Sequence, residues 1–333
     1  MINNNLLPWQ KETANNFLLN RNFYNSYIIC GEKGIGRKIY AKSIASSIFC
    51  RSPIKRFSCN YCLSCRLINN ETHPDILIIN SKNNIDSFED YNNSLISIKQ
   101  INELIKWDNK SSFFLNYKIV IINSSNFLNN SASNSLLKIL ENLKNRTLFL
   151  LITNSLDELI PTIISRCKII SLYKPKKIIL KNWLIRLGIK NKKSWIAFSC
   201  GCPLLIENFI NNINNNKNSP IPNWLTKFLH KIKYSYNLNN YDTLEKFENE
   251  NIYNIFIIIQ RIFFDLLLSK NCQKVCYFPE LFEEINYVSQ KFNKVILSEI
   301  LKWINKQKIL VNYQINKKMF INSILNFLSN KTS

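Results

Sequence analysis

The chain has 333 residues, 46% of them hydrophobic, and 44 Lys and Arg against 22 Asp and Glu give a formal net charge of +22. The apolar content excludes general disorder and is enough for two or three globular domains. The charge points to a polyanionic partner, most simply nucleic acid. The chain is also crowded with Lys, Asn and Ile, and its lysines are scattered, so a drift in composition accounts for part of the charge without building a binding face.

In chain order, the opening MINNN is polar and uncharged and predicts no targeting segment. Residues 26–30, SYIIC, read as a short buried strand that runs into the glycine-rich loop GEKGIG, and 38–49 has helical spacing. A cysteine-rich stretch follows. DILIIN (75–80) is a second strand, 81–94 a polar loop, 97–108 a helix and YKIVIIN (117–123) a third strand. Residues 131–143 form an amphipathic helix with Leu136, Leu137, Leu140 and Leu143 on one side. TLFLLIT (147–153) and KIISL (168–172) are the last strands. Continuous apolar strands alternating with helices predict a parallel sheet covered on both faces.

Beyond residue 167 the pattern turns helical. Residues 175–210 read as a small helical unit and the Asn-rich 211–222 as a linker; helices are predicted over 251–269, 279–292, 294–307 and 314–329. The longest apolar run, 255–268, is broken by Gln260, Arg261 and Asp265 and is too short to span a bilayer, so it predicts a buried helix.

Cys50, Cys59, Cys62 and Cys65 read C-x8-C-x2-C-x2-C. A C-x2-C pair lets two thiolates reach one tetrahedral ion from a tight turn, and four thiolates suit structural Zn²⁺. Disulfides or free thiols are the alternatives, and no secretory signal favours disulfides. A closed four-sulfur shell leaves no position for catalysis. The remaining six cysteines read as core or surface thiols.

A phosphate-binding loop reads G-x-x-x-x-G-K-[ST]: the glycines let backbone N–H groups wrap the phosphates, the Lys neutralises charge and the hydroxyl binds Mg²⁺. Gly31, Gly34 and Gly36 supply the loop here, but Arg37 and Lys38 replace the Lys and the hydroxyl residue. The third strand ends in Asn123-Ser124, where a Mg²⁺ site needs carboxylates. Intrinsic ATP hydrolysis is therefore not expected. The loop reads either as a residual nucleotide site or as a plain strand-to-helix turn. Ser165-Arg166-Cys167 places an Arg at the domain's edge, where it can act on a nucleotide held by a neighbour or simply pair with a surface carboxylate.

These motifs, with Thr72-His73-Pro74-Asp75, Asn134-Ser135-Leu136-Leu137-Lys138 and, more weakly, Gly201-Cys202-Pro203 and Ile315-Asn316, resemble those of the delta-prime subunits of the bacterial replicative clamp loader. Such complexes open a ring-shaped sliding clamp and place it on primed DNA. The resemblance implies an α/β domain of AAA+ type over residues 1–167 with a zinc module at 50–65, a small helical lid over 168–210, and a helical collar over 211–333. It implies a non-catalytic cytoplasmic subunit, with ATP bound by neighbouring gamma/tau subunits and not by this chain. Arg166 would be the finger acting in trans, with Ser165 and Cys167 framing it. Gamma/tau and delta subunits, the sliding clamp and primer-template DNA would be its partners, with no membrane. Leu204 and Leu205 stand where ATP-using relatives carry a sensing Arg. The family's helix often ends Glu-Glu-Pro-Pro; here it ends Glu141-Asn142-Leu143-Lys144. Two alternatives are an ATP-hydrolysing gamma/tau-type subunit, which lacks its required residues here, and a stand-alone DNA-binding protein, which calls for a basic cluster or interleaved aromatics on one element, and the sequence pattern singles out none; DNA contact inside the assembly is compatible with the scattered lysines. His73 reads as a structural residue beside Pro74.

Overall fold

The computed structural model describes residues 6–19, 23–80, 96–114, 117–125, 128–141, 146–212, 219–234 and 252–307, with Met319, Asn322, Ser323, Asn326 and Phe327. The expected loop at 81–94, the helix end at 142–144, Ile315-Asn316 and most of the helix at 314–329 lie outside these residues. The chain divides into two compact units, Met1–Ile179 and Leu180–Ser333.

The first unit is an α/β sandwich around one sheet. Its strands are β1 (Ser26–Cys30), β2 (Ile76–Ile79), β3 (Lys118–Ile122), β4 (Thr147–Thr153) and β5 (Lys168–Ser171), ordered β2-β3-β4-β1-β5. All neighbours are parallel, with Ile28 of β1 opposite Leu151 on one side and Ile169 on the other. Parallel strands covered on both faces must be apolar throughout. Accordingly β3 and β4 are buried along their whole length, while the edge strand β5 is largely exposed.

The helices of this unit are α1 (Lys11–Leu19), α2 (Arg37–Phe49), α3 (Leu63–Asn69), α4 (Ile98–Asp108), α5 (Asn130–Glu141) and the short α6 (Pro161–Ile164). At the start of α4 the Gln100 side chain accepts the Ser97 N–H at 3.0 Å, which satisfies one otherwise orphaned backbone donor. Ile101 and Leu104 of α4 and Leu136 and Leu140 of α5 pack on Val120 and Phe149 of the sheet. Full burial of each such side chain stabilises the fold by about 1.5–3 kcal/mol. Three helices lay outside the sequence pattern: α1 with the 3₁₀ turn Pro8–Gln10 before it, α3, which begins inside the cysteine stretch, and the short α6.

The second unit is helical over its described residues, from α7 (Lys177–Arg186), which it shares from Leu180 onward, through α8 (Lys192–Phe198), α9 (Pro203–Asn212), α10 (Asn223–Tyr234), α11 (Ile252–Cys272), α12 (Phe282–Lys291) and α13 (Lys294–Gln307). Trp195, Phe198, Phe209, Leu225, Phe256, Phe263, Leu297 and Ile300 share one apolar core. Helix α9 runs through the first two positions of the expected linker, and residues 213–218 of that linker lie outside the described part. The apolar run 255–268 sits inside α11, and among the described residues no helix is long and apolar enough to cross a membrane. Asp265 of α11 is fully buried and accepts the backbone N–H groups of Cys276, Tyr277 and Phe278, which fastens the turn after the helix.

Candidate functional site

The glycine loop leaves the C-terminal end of β1 and enters α2. Gly34 and Gly36 have φ of 92° and 90°, the left-handed region that favours glycine. At Gly31 a Cβ would stand 2.7 Å from the carbonyl oxygen of Leu172 and collide with Ile35. The loop's carbonyls are held from behind. Gln10 Nε2 donates to the Ile35 and Gly36 oxygens, at 2.9 Å each, and Trp9 Nε1 donates to Ile35 at 3.0 Å. Neither residue was marked by the motif; the only sequence cue is a large polar pair just ahead of the first helix.

The cations of this loop have partners within the chain. Arg37 Nη2 donates to Asn154 Oδ1 at 2.6 Å, beyond the end of β4, and Asn154 in turn donates to Glu158. Lys38 lies 3.8 Å from Glu71, which also takes a close hydrogen bond from Lys42. Glu32 pairs with Lys174 at 2.8 Å. Burial pulls the Arg37 and Lys38 pKa values below their ordinary positions, because a half-covered cation loses hydration. At the end of β3, Asn123 donates to Asn80 Oδ1 at 3.2 Å and Ser124 adopts a φ of 59°. No carboxylate stands at either position.

Arg166 follows α6. Its guanidinium pairs with Glu141 at 2.6 Å and donates to the Thr162 carbonyl oxygen at 2.9 Å, with the side chain 37% exposed. The sequence brought these two residues together only as separate motifs; the pairing joins the end of α5 to the end of α6. Ser165 Oγ donates to the Thr162 oxygen. The Arg166 carbonyl accepts from Ser26 Oγ, which fixes the turn to the start of β1.

The four cysteines converge after α2. Cys50 follows the last residue of α2, Cys62 is the residue before α3, and Cys65 lies within α3. Their sulfurs all lie within 4.8 Å of one another, so the cluster could hold a metal ion. Sulfurs each about 2.3 Å from one tetrahedral ion stand roughly 3.8 Å apart, so the fit needs only a small contraction. The backbone N–H of Cys59 donates to Cys50 Sγ at 3.3 Å and that of Cys62 to Cys59 Sγ at 3.4 Å. Such donors favour thiolates. Burial opposes ionisation of Cys59, yet the N–H groups of Cys62 and Tyr61 and the neighbouring thiols bring its pKa down to about 6, and that of Cys62 is also lowered, whereas burial pushes Cys50 and Cys65 up. His73 is not part of the cluster. It is buried between the rings of Phe49 and Phe114, and its Nδ1 accepts the Asp75 N–H.

The first unit is thus a five-stranded parallel α/β domain with a glycine loop whose cations are held internally, carrying a four-cysteine module that runs from the end of α2 into α3. The family described as DNA polymerase III, delta subunit, matches residues 9–176, and the chain belongs to that family. DNA polymerase III subunit delta' of Pseudomonas aeruginosa is 26% identical over 206 residues, 61% of this chain and 60% of its own length. The subunit of the same name from Buchnera aphidicola of Schizaphis graminum is 27% identical over 303 residues, 86% of this chain and 84% of its own. DNA polymerase III subunit tau of Bacillus subtilis is 30% identical over 157 residues, 47% of this chain and 26% of its own. The match to the Pseudomonas relative therefore spans about three fifths of each chain.

Proposed function

We propose that the chain is a non-catalytic, delta'-type subunit of a clamp loader that supplies Arg166 to ATP bound in a neighbouring gamma/tau-type subunit. One observation carries the absence of its own turnover: Arg37 is tied to Asn154 at 2.6 Å and Lys38 to Glu71, where a Mg²⁺–nucleotide needs an ammonium and a hydroxyl. Family membership and the delta' relatives support the assembly role. In this reading the first unit is of AAA+ type, α7 to α9 form the lid and the later helices the collar. The gamma/tau and delta subunits, the sliding clamp and primer-template DNA are the partners, and the subunit works in the cytoplasm. Arg37 and the glycines form a retired phosphate loop, and the gamma/tau-type alternative finds no group at positions 37, 38, 123 or 124 to work with.

Cys50, Cys59, Cys62 and Cys65 would hold structural Zn²⁺, which crosslinks the end of α2 to the start of α3 and performs no chemistry. Arg166 reaches a neighbour's phosphates by exchanging the Glu141 carboxylate for them. A half-exposed pair of this kind contributes only about 0–1 kcal/mol, so the exchange is cheap. The test is ATP turnover of the complex assembled with gamma/tau, delta, clamp and primed DNA. Arg166→Ala should leave assembly intact and slow hydrolysis at the facing site by about 10³-fold, the usual worth of an arginine finger. An unchanged rate at equal stoichiometry overturns the assignment.

A further inference from the structure

The cysteine module carries a surface to which the proposed function assigns no role. Between Cys50 and Asn70 there is no Asp or Glu, while Arg51, Lys55, Arg56 and Arg66 are all exposed. Composition drift toward Lys does not explain this patch, because three of its four cations are Arg, drawn from only nine in the chain. Among the described residues none of the four pairs with a carboxylate; Arg51 instead lies over the Phe114 ring, 5.6 Å from its centre.

The tip is a two-residue hairpin. Ile54 and Phe57 exchange both backbone hydrogen bonds at 2.9 Å, and the central residues Lys55 and Arg56 have φ of 48° and 72°. Two positive φ values are the requirement of a type I′ turn, which favours Asn-Gly. Long basic side chains in that conformation are strained, and strain of this kind collects where a side chain is used. Ile54 in the hairpin, and Tyr61 and Leu63 further along the same module, are 57%, 62% and 47% exposed.

We infer that this module binds single-stranded nucleic acid, with Lys55, Arg56 and Arg66 on the phosphates and Tyr61 stacked on a base. The observations favour a single strand because cations interleaved with an exposed ring and apolar side chains match unstacked bases on a charged backbone. An acidic protein segment would use the charges and leave Tyr61 idle. The inference deepens the proposed contact with primer-template DNA by giving it a surface, and its test uses the isolated chain, so its failure is distinguishable from failure of the assembly reading.

The test uses the full, zinc-loaded chain and a labelled oligothymidylate of about 20 nucleotides, longer than a single-module site, followed by anisotropy across a salt series. Lys55→Asn with Arg56→Gly installs the residues the turn prefers, so the melting temperature should stay level or rise. Its affinity should fall about tenfold and its log–log salt slope by about 1.4, the value for two phosphates on a single strand. Tyr61→Ala should weaken binding about tenfold with the salt slope unchanged. Lys190→Asn with Lys193→Asn, exposed positions of the second unit, removes the same charge and should weaken binding less than about twofold. Equal losses in the two double variants, binding indifferent to Tyr61→Ala, or displacement of the oligonucleotide by polyglutamate of equal charge would each overturn the assignment, the last in favour of an acidic protein partner.

Discussion

Two loops bracket helix α2, and they treat their charges in opposite ways. At the glycine loop and the first turn of the helix it enters, Glu32, Arg37 and Lys38 each find a partner inside the chain, and Trp9 and Gln10 hold the loop's carbonyls from behind. In the cysteine module after the helix, Lys55, Arg56 and Arg66 stand exposed, with no carboxylate among the described residues paired to them. The first loop has the outline of a ligand site with its cations drawn into the fold. The second has the outline of a structural module with its cations presented to solvent. Motif and use need not coincide: a retained backbone shape says less about ligand binding than the partners of the side chains upon it.

The comparison breaks most visibly if the metal is removed. A thiolate-bound structural ion contributes about 10–16 kcal/mol in isolated zinc peptides at neutral pH, whereas the glycine loop is held by ordinary hydrogen bonds. Cys62→Ser should therefore abolish stoichiometric zinc by metal analysis and open residues 50–66 to proteolysis. Far-ultraviolet dichroism from the sheet should persist. Absence of zinc from the parent protein, or an equally protected module in the variant, would contradict a metal-dependent knuckle.

The second intervention acts on the other loop. Gln10 is 1% exposed, and its amide donates to two loop carbonyls while accepting the Leu7 N–H at 3.4 Å. Gln10→Ala leaves the Leu7 N–H without its acceptor and takes one of two donors from each of the Ile35 and Gly36 oxygens, which keep Trp9 Nε1 and the Tyr40 N–H, at a cost of about 1–2 kcal/mol. The melting temperature should fall by several degrees, and hydrogen exchange should rise at residues 31–36. Protection unchanged in that loop would show that Trp9 alone holds it.

The strands were legible to within a residue, because a two-sided parallel sheet demands uninterrupted apolar runs such as TLFLLIT and KIVII. The cysteine set was legible from spacing alone. What the chain hid depends on residues far apart or on backbone angles that side-chain pattern does not report. Arg37 meets Asn154 across 117 positions. Arg166 meets Glu141 only because α5 and α6 end side by side. Lys55-Arg56 gives no turn signal, since the residues that normally announce a type I′ turn are Asn and Gly. Helix α3 was masked because a cysteine-dense stretch reads as loop, although Leu63–Asn69 is free of Gly and Pro.

The smallest expected effect concerns the link between the two loops, since Glu71, past the end of α3, ties down Lys38 and Lys42 of α2. The hydrogen bond from Lys42 lowers the Glu71 pKa below its ordinary value, against burial, and the charges of Lys42 and Lys38 add to it. A carboxyl whose folded pKa is depressed binds fewer protons folded than unfolded. Its contribution is present above the unfolded value of about 4.3 and is lost as pH falls through the lower folded value. Glu71→Gln should therefore cost less than about 1 kcal/mol near pH 7, as for other half-exposed pairs. The gap between parent and variant should close as pH drops below about 4.3. Denaturant midpoints measured from pH 7 to pH 3 check this. A gap that stays constant over that range would mean that Glu71 acts by its shape, which Gln shares only in part, and not by its charge.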